Sequence, residues 1–339
     1  MDAPLPRPQS PTPLLMKAIV QPAYGLPEVL HLADVDRPVV GDDGVLVRVL
    51  AGSLNQADWH WLTGTPYIFR LSGIGVEKPN KPIPGMAVAG RVVAVGVNVE
   101  AFQVGDEVFG EIDRGGFAEY VCASERELAH KPANLTFEEA AALPLAGTTA
   151  LQGLRDAGRL QPGQSVLING AAGGVGTFAV QIAKALGAEV TGVCSGRNVE
   201  LVRLLGADHV VDYDKEDFTR GDRRYDVILD LVGNRPLSAC RRVLTERGRF
   251  VSSSGGAQHT WVGPLLFVLT GIASNLYSSQ PFVPLAARPA KEDLITLRGL
   301  VEAGQVRPVI DRRYTLDELP DAMRYLGRGH TRGKSVVTL

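Results

Sequence analysis

Between Lys17 and Asn55 the apolar residues fall in short alternating runs, KAIVQPAYG, VLHLADVDRP and DDGVLVRVLAGSLN, with Gly and Pro where a sheet must reverse. A second group, GRVVAVGVNVEAFQVGDEVFGEI and FAEYVCASERELAHKP, has the same β-branched texture and Gly-Asp turns, and predicts a partly open barrel. Helical spacing is scarce until Thr136, which with Glu139 makes a capping box opening an Ala-rich helix in TFEEAAALPLAGTTALQGL. From Gln164 onward strand-like and helix-like runs alternate: SVLING, VGTFAVQIAKALG, AEVTGVC, NVELVRLLG, DHVVDY, YDVILDLVG, RPLSACRRVL and GRFVSSS. This is the βαβ rhythm of a doubly wound parallel sheet, so the fold class is α/β with a β-rich companion.

The rhythm ends in an apolar stretch, Trp261 to Tyr277, which is short for a membrane span and is broken by Gly263, Pro264, Gly271, Ser274 and Asn275. It reads as buried or interfacial, serving substrate, a second copy of the chain or a membrane surface. A helix from about Lys291 to Ala303 and the strand-like VIDRRYTL and KSVVTL then leave the βαβ pattern, and are expected to return to the first domain. The division expected is a Pro-rich flexible tail over 1–15, a β-rich catalytic domain over 16–136, a nucleotide-binding insertion over 137–284 and a catalytic return over 285–339.

The strongest local signal is Ala171-Ala172-Gly173-Gly174-Val175-Gly176, placed directly after the apolar strand Ser165–Asn169 and before an amphipathic helix. It is a GxGxxG fingerprint with Ala171 in the first glycine position. Gly173 lets backbone approach a pyrophosphate, Gly176 lets helix pack on strand, and the helix N-terminus supplies N–H donors. About twenty residues on, where an NAD-binding chain usually carries an acid for the ribose hydroxyl, this one reads Cys194-Ser195-Gly196-Arg197-Asn198. Ser195 and Arg197 are donors suited to a 2′-phosphate, so the cofactor expected is NADPH.

Composition narrows the partners. A chain of 339 residues with 45% hydrophobic and 21% charged residues is an ordinary globular protein, long enough for two domains. A net charge of -2 offers no cationic field for nucleic acid or an anionic bilayer, and favours a small, largely uncharged substrate. Cys122, Cys194 and Cys240 lie far apart, without zinc-knuckle or disulfide spacing, which fits a reducing cytoplasm. The first thirteen residues, MDAPLPRPQSPTP, contain no apolar core and are not a signal peptide.

Taken together, the β-rich start, LPLAGTTALQGL, NGAAGGVGTFAVQIAKALGAEV, LGADHVVDY and GKSVVTL resemble the medium-chain dehydrogenase/reductase superfamily, on its quinone oxidoreductase and zeta-crystallin side. The resemblance runs from about Met16 to Leu339. It implies a Rossmann domain beside a GroES-like one, a homodimer, and an NADPH-dependent reductase of quinones or activated C=C bonds. Zinc-dependent members carry Cys-x-x-Asp after the second strand and Gly-His-Glu later; here these read Asn55-Gln-Ala-Asp58 and Gly85-Met86-Ala87, and the four-cysteine structural zinc lobe is absent. No metal is therefore expected. A metal-free cleft suits acceptors that delocalise the charge created by hydride addition, because a few hydrogen-bond donors then suffice.

By the same resemblance Asn55 should contact the nicotinamide ribose or the substrate oxygen, and Thr148 should lie against the nicotinamide. Gly173, Gly174 and Val175 match the diphosphate turn, Ser195 and Arg197 the 2′-phosphate pocket, Tyr213 the adenosine edge, and Lys334 of GKSVV a further cofactor contact. His60 and Tyr67 are the candidate proton donors. One departure stands out: where relatives often read Gly-x-Asp-x-x-Gly, this chain has Gly85-Met-Ala87-Val-Ala-Gly90, predicting a more apolar cleft wall. An alcohol or aldehyde reductase, and an NADPH-binding protein of low turnover with a partner-binding role, are the competing readings.

Overall fold

The structure is a computed structural model that describes residues 14–67, 70, 74–253 and 263–339. Most of the expected tail, and part of the apolar stretch after Gly255, lie outside the described residues. In chain order the elements begin with β1 (Leu15–Val20), β2 (His31–Asp36), β3 (Gly44–Ser53), α1 (Gln56–Thr63), β4 (Ala87–Val95), β5 (Glu107–Glu111), β6 (Tyr120–Ser124) and β7 (Leu128–His130). Next come α2 (Phe137–Ala141), α3 (Ala146–Gln152), β8 (Ser165–Asn169), α4 (Gly174–Ala185), β9 (Glu189–Cys194), α5 (Val199–Leu204), β10 (His209–Asp212), β11 (Tyr225–Asp230), α6 (Leu237–Arg242) and β12 (Leu244–Ser252). The chain ends with α7 (Gly263–Ala273), β13 (Phe282–Pro284), α8 (Lys291–Glu302), β14 (Ile310–Thr315), α9 (Leu319–Gly327) and β15 (Lys334–Thr338).

Strands β8 to β13 form a six-stranded parallel sheet in the order β10-β9-β8-β11-β12-β13. The order reverses at β8, whose carboxyl end therefore opens onto a crevice, the usual ligand address of such sheets. β8 is buried along Val166, Leu167 and Ile168, and α4 lays Phe178, Ala179, Ile182 and Ala183 onto it. This is the doubly wound sheet the alternating pattern predicts.

The second sheet runs β14-β15-β3-β4-β5-β7, with β6 paired to β3, and it does not close into a barrel. β15 lies antiparallel to β3, so strands from opposite ends of the sequence share one surface, with Val336 paired to Ser53. β4 bends across β3 through two register shifts. Gly90 sits at the second, where an added Cβ would come within 2.1 Å of the Arg48 carbonyl. The close crossing therefore requires glycine.

Three local expectations need correcting. The Ala-rich helix is two helices: the Thr136 capping box opens α2, with Thr136 and Glu139 bonded reciprocally. The chain then breaks at Leu143-Pro144-Leu145 before α3 starts, because Pro144 lacks the N–H that a continuous helix needs. Helix α1 lies between the two β-rich groups, ahead of Thr136, where helical spacing was expected to be scarce; Asn55 caps it, with the Asp58 carboxylate accepting the Asn55 N–H at 2.8 Å. Helix α9 stands between the two C-terminal strands, with Pro320 in its first turn, where its missing N–H costs nothing.

Replacing Gly90 by Ala should lower stability by about 1–3 kcal/mol, because neither backbone at that crossing can move aside. Thermal denaturation checks this, and an unchanged melting temperature would refute it.

Candidate active site

A cavity of about 1010 Å³ lies between the two sheets, at the carboxyl end of β8. Its middle is the Gly173–Gly176 turn. One end is built by Ser195, Arg197 and Tyr213; the other is built by Asn55, His60, Leu145, Thr149 and Lys334.

The glycines of the turn differ in what they are for. A Cβ on Gly176 would lie 2.1 Å from the Gly170 carbonyl, so this glycine serves helix–strand packing. At Gly173 a Cβ would meet only that same carbonyl, at 3.4 Å, and its backbone φ of -80° is ordinary. No protein contact calls for glycine there, and a side chain would occupy the mouth of the cleft. Such a cradle fits a pyrophosphate held on backbone N–H groups at the start of α4, a helix long enough to carry a terminal dipole.

At the β9 end, Ser195 leaves the strand and its Oγ accepts from Asn198 Nδ2 at 3.1 Å. Arg197 is exposed, and its Nη2 donates to the His330 carbonyl at 3.3 Å. His330 and Thr331 line the same end of the cavity, so the C-terminal return contributes to it. A carboxylate does stand close by, though not on β9: Asp212, at the end of β10, faces the Gly196 N–H. Lys215, 3.1 Å away, and the Asp214 N–H hold it low in pKa, and it does not line the cavity.

At the other end the chemistry centres on Asn55 and Lys334. The Lys334 ammonium donates to the Leu54 carbonyl at 2.7 Å and to Asn55 Oδ1 at 2.5 Å. Because an ammonium only donates, the amide oxygen must face it, and the NH₂ of Asn55 must face the other way. One of its hydrogens goes to the Ser53 carbonyl at 3.1 Å, which leaves the second N–H as a donor. Lys334 is only 3% exposed. Burial pulls its pKa down to about 7, against the upward pull of the Asp58 and Glu111 carboxylates. Burial likewise lifts Asp58 to about 6, opposed by the Asn55 N–H it accepts and by the positive charges of Lys334 and Arg114.

His60, on α1, lines the cavity; its Nδ1 lies 2.9 Å from the Thr65 carbonyl, and burial lowers its pKa. Two expected residues are not brought to the cavity. Tyr67 lies beneath the Arg70 guanidinium, 4.8 Å from its ring centre, away from the cavity lining. Thr148 is fully buried and turned toward β5, where its hydroxyl donates to Glu111 at 3.0 Å. A helix rotates about 100° per residue, so Thr149, one position on, lines the cavity instead. Leu145 and Glu111 were not singled out from the sequence, and Asp58 was named only as the acid of Asn55-Gln-Ala-Asp58, with no role of its own. Glu111 left one signal, an acid closing the apolar run Val108-Phe109-Gly110. Among the described residues no three His, Cys, Asp or Glu side chains gather as a metal-binding group.

The chain as a whole is similar to known proteins. The family described as alcohol dehydrogenase GroES-like domain matches residues 41–133, and the one described as zinc-binding dehydrogenase matches 205–337. A 2-methylene-furan-3-one reductase of Solanum lycopersicum is 35% identical, over 96% of this chain and 79% of that relative. The quinone oxidoreductase of Coxiella burnetii superposes with a TM-score of 0.82 at 32% identity, over 96% of this chain and all of that one. The Escherichia coli quinone oxidoreductase complexed with NADPH does so with a TM-score of 0.80 at 25% identity, over 95% of this chain and all of that one. The chain thus belongs to the medium-chain dehydrogenase/reductase superfamily, in its quinone oxidoreductase group. It is an oxidoreductase of the nicotinamide-dependent kind.

The low pKa of Lys334 has a measurable sign. A lysine at about 7 when folded and near 10.5 when free binds more protons unfolded than folded between those values. Stability should therefore rise with pH across that window, and less so in Lys334→Met. In ¹³C-lysine NMR, one ε-carbon should titrate near pH 7 and vanish in that variant. A spectrum in which every lysine titrates above pH 9 would refute the reading.

Proposed function

We propose that the chain is a zinc-independent, NADPH-dependent reductase of quinones or of the activated C=C bond of α,β-unsaturated carbonyl compounds. The observation that carries this is the Asn55–Lys334 pair: a fixed amide N–H donor in a cleft that continues through the glycine turn to Ser195 and Arg197. In this reading Gly173, Gly174 and Val175 hold the diphosphate, Ser195 and Arg197 the 2′-phosphate, and Tyr213 the adenosine edge. Asn55 and Lys334 form the nicotinamide end, with Thr149 taking the place expected of Thr148. The NADPH-complexed neighbour supports the choice of dinucleotide. The tomato reductase and the Coxiella quinone oxidoreductase support the acceptor classes.

When bound, the cofactor supplies a hydride. The protein's part is to orient the acceptor and manage charge and proton. Hydride arriving at the carbon β to a carbonyl pushes an electron pair toward the carbonyl oxygen. The free Asn55 N–H donates to that oxygen and stabilises the enolate as it forms. A proton must then reach the α-carbon or, for a quinone, the oxygens. His60 is the cleft-lining candidate, but its lowered pKa keeps it mostly neutral at pH 7, so its role is to relay a proton from solvent.

Zinc independence is supported by Asn55, Met86 and Ala87 at the positions where zinc-dependent members place ligands. The match described as zinc-binding dehydrogenase begins at residue 205 and includes none of them. A homodimer and a reducing cytoplasm complete the proposal, the latter supported by three free thiols. Among the described residues no helix is long and apolar enough to cross a membrane. A partner-binding role keeps one specific observation in its favour: Leu266, Leu269 and Ile272 of α7 are exposed.

The decisive experiment follows NADPH oxidation with a quinone, a conjugated enone and the matching saturated ketone, and identifies the products. Turnover with either of the first two, and none with the ketone, is the expected result; ketone reduction alone would sink the proposal. Stoichiometric zinc in the purified protein would sink its metal-free part. Arg197→Ala should raise the KM for NADPH by about 10- to 100-fold, the loss of a charge-assisted contact, and leave the KM for NADH nearly unchanged. Tyr67→Phe should leave kcat within about twofold, since Tyr67 does not line the cavity.

A further inference from the structure

Leu145 has a backbone that few residues adopt. Its φ of 60° and ψ of -57°, with the Ala146 N–H donating to the Pro144 carbonyl at 2.7 Å, make it the centre of a strained classic γ-turn. Strain of this kind persists only where surrounding groups over-determine it, and it points to function when it lies in a cleft. Leu145 lines the cleft beside Asn55 and Lys334, and it immediately precedes α3, which brings Thr149 there.

What holds the turn comes from the other sheet. Glu111, the last residue of β5, is buried, and one oxygen of its carboxylate accepts both the Leu145 N–H at 3.2 Å and the Thr148 hydroxyl at 3.0 Å. Without this acceptor the Leu145 N–H would have no intrahelical partner, being ahead of the first turn of α3. The location of Glu111 is equally informative. It pairs directly with Ala87 on β4, which pairs in turn with Ser53 on β3, so the three side chains share one face in a single row across the sheet. The Ser53 hydroxyl, next to Ala87, is buried and has no hydrogen-bond partner among the described residues. The row in which Ala87 stands thus does carry a carboxylate, supplied from one strand further along; none of the three residues lines the cavity, and Glu111 reaches it through Leu145.

We infer that Glu111 is a positioning residue for the reaction: it reaches from β5 to hold the Leu145 γ-turn, and so sets the wall of the cleft against which the nicotinamide end of the cofactor lies. The carboxylate displaces no substrate atom and takes no proton in turnover. It fixes a peptide that would otherwise relax out of the left-handed region. This rests on the nicotinamide reading given above.

Three variants test it: Glu111→Ala, Glu111→Gln, which keeps an acceptor oxygen, and Glu111→Ala combined with Ala87→Glu, which moves the carboxylate back along the row. The readouts are hydrogen exchange of the Leu145 amide, affinity for NADPH, and affinity for adenosine 2′,5′-bisphosphate, which probes only the Ser195–Arg197 end. Glu111→Ala removes the acceptor of both the Leu145 N–H and the Thr148 hydroxyl, and should speed that exchange and weaken NADPH by about tenfold or more each, while the bisphosphate binds as before. Glu111→Gln should stay within about twofold of the parent, and the double variant should recover most of the loss. A Glu111→Ala protein that matches the parent in exchange and NADPH affinity overturns the inference. So does a Glu111→Gln protein as impaired as Glu111→Ala, or a folded double variant that recovers nothing. A parent protein that binds neither NADPH nor the bisphosphate defeats the nicotinamide reading instead, and the exchange comparison still decides what Glu111 does.

Discussion

The buried hydrogen bond from the Lys334 ammonium to the Asn55 amide is the contact on which the cleft depends. It ties the start of β15 to the cap of α1, and the Lys334 stem passes close to Gly174 at the glycine turn. A buried ammonium is costly unless paired, and this one has two carbonyl-type oxygens in contact and two carboxylates, Asp58 and Glu111, near enough to act on it. The same bond chooses the orientation of the Asn55 amide. Charge balance beneath the cleft and donor geometry within it are therefore set by one interaction.

Around that bond the structure separates duties that a sequence motif tends to merge. Gly176 is a packing residue, whereas Gly173 is free of protein contacts that would demand it. Thr148 supports Glu111, whereas Thr149 faces the cavity. Asp58 caps a helix while standing among the charges of Lys334 and Arg114. In each case the division follows from which way one backbone position points, a matter of about 100° along a helix or of one register step in a sheet.

The doubly wound sheet was readable because alternation of strand and helix is a local property, and the glycine turn because its geometry restricts the residue type. Asn55 and Lys334 were expected at the site by resemblance, Ser195 and Arg197 from the missing acid after the glycine turn, and all four line one cavity. Helix α1 was hidden because Trp59, His60 and Trp61 interrupt any apolar stripe, leaving only Asp58 and Leu62 buried. Helix α9 was legible in principle, with Leu319, Ala322, Met323 and Leu326 at helical spacing, but Pro320 reads as a breaker unless it is recognised as a first-turn residue. Glu111 could not be placed from sequence, since its partners Ala87 and Leu145 become neighbours only through strand register and the return of a separate helix.

The distance along the chain between the two residues of the central bond, 279 positions, has a consequence for biosynthesis. A growing chain can assemble the parallel sheet from neighbouring βαβ units soon after they leave the ribosome, because those contacts are short in sequence. The first β-rich segment emerges earlier still and can pair β3 with β4 and β6, yet it must wait for β15 before Ala51, Gly52 and Ser53 acquire their second neighbour. During that interval the nascent protein has a formed parallel sheet and an unpaired edge at Ala51–Ser53 of β3. The Lys334–Asn55 bond and the cover on that edge arrive together, when β15 docks.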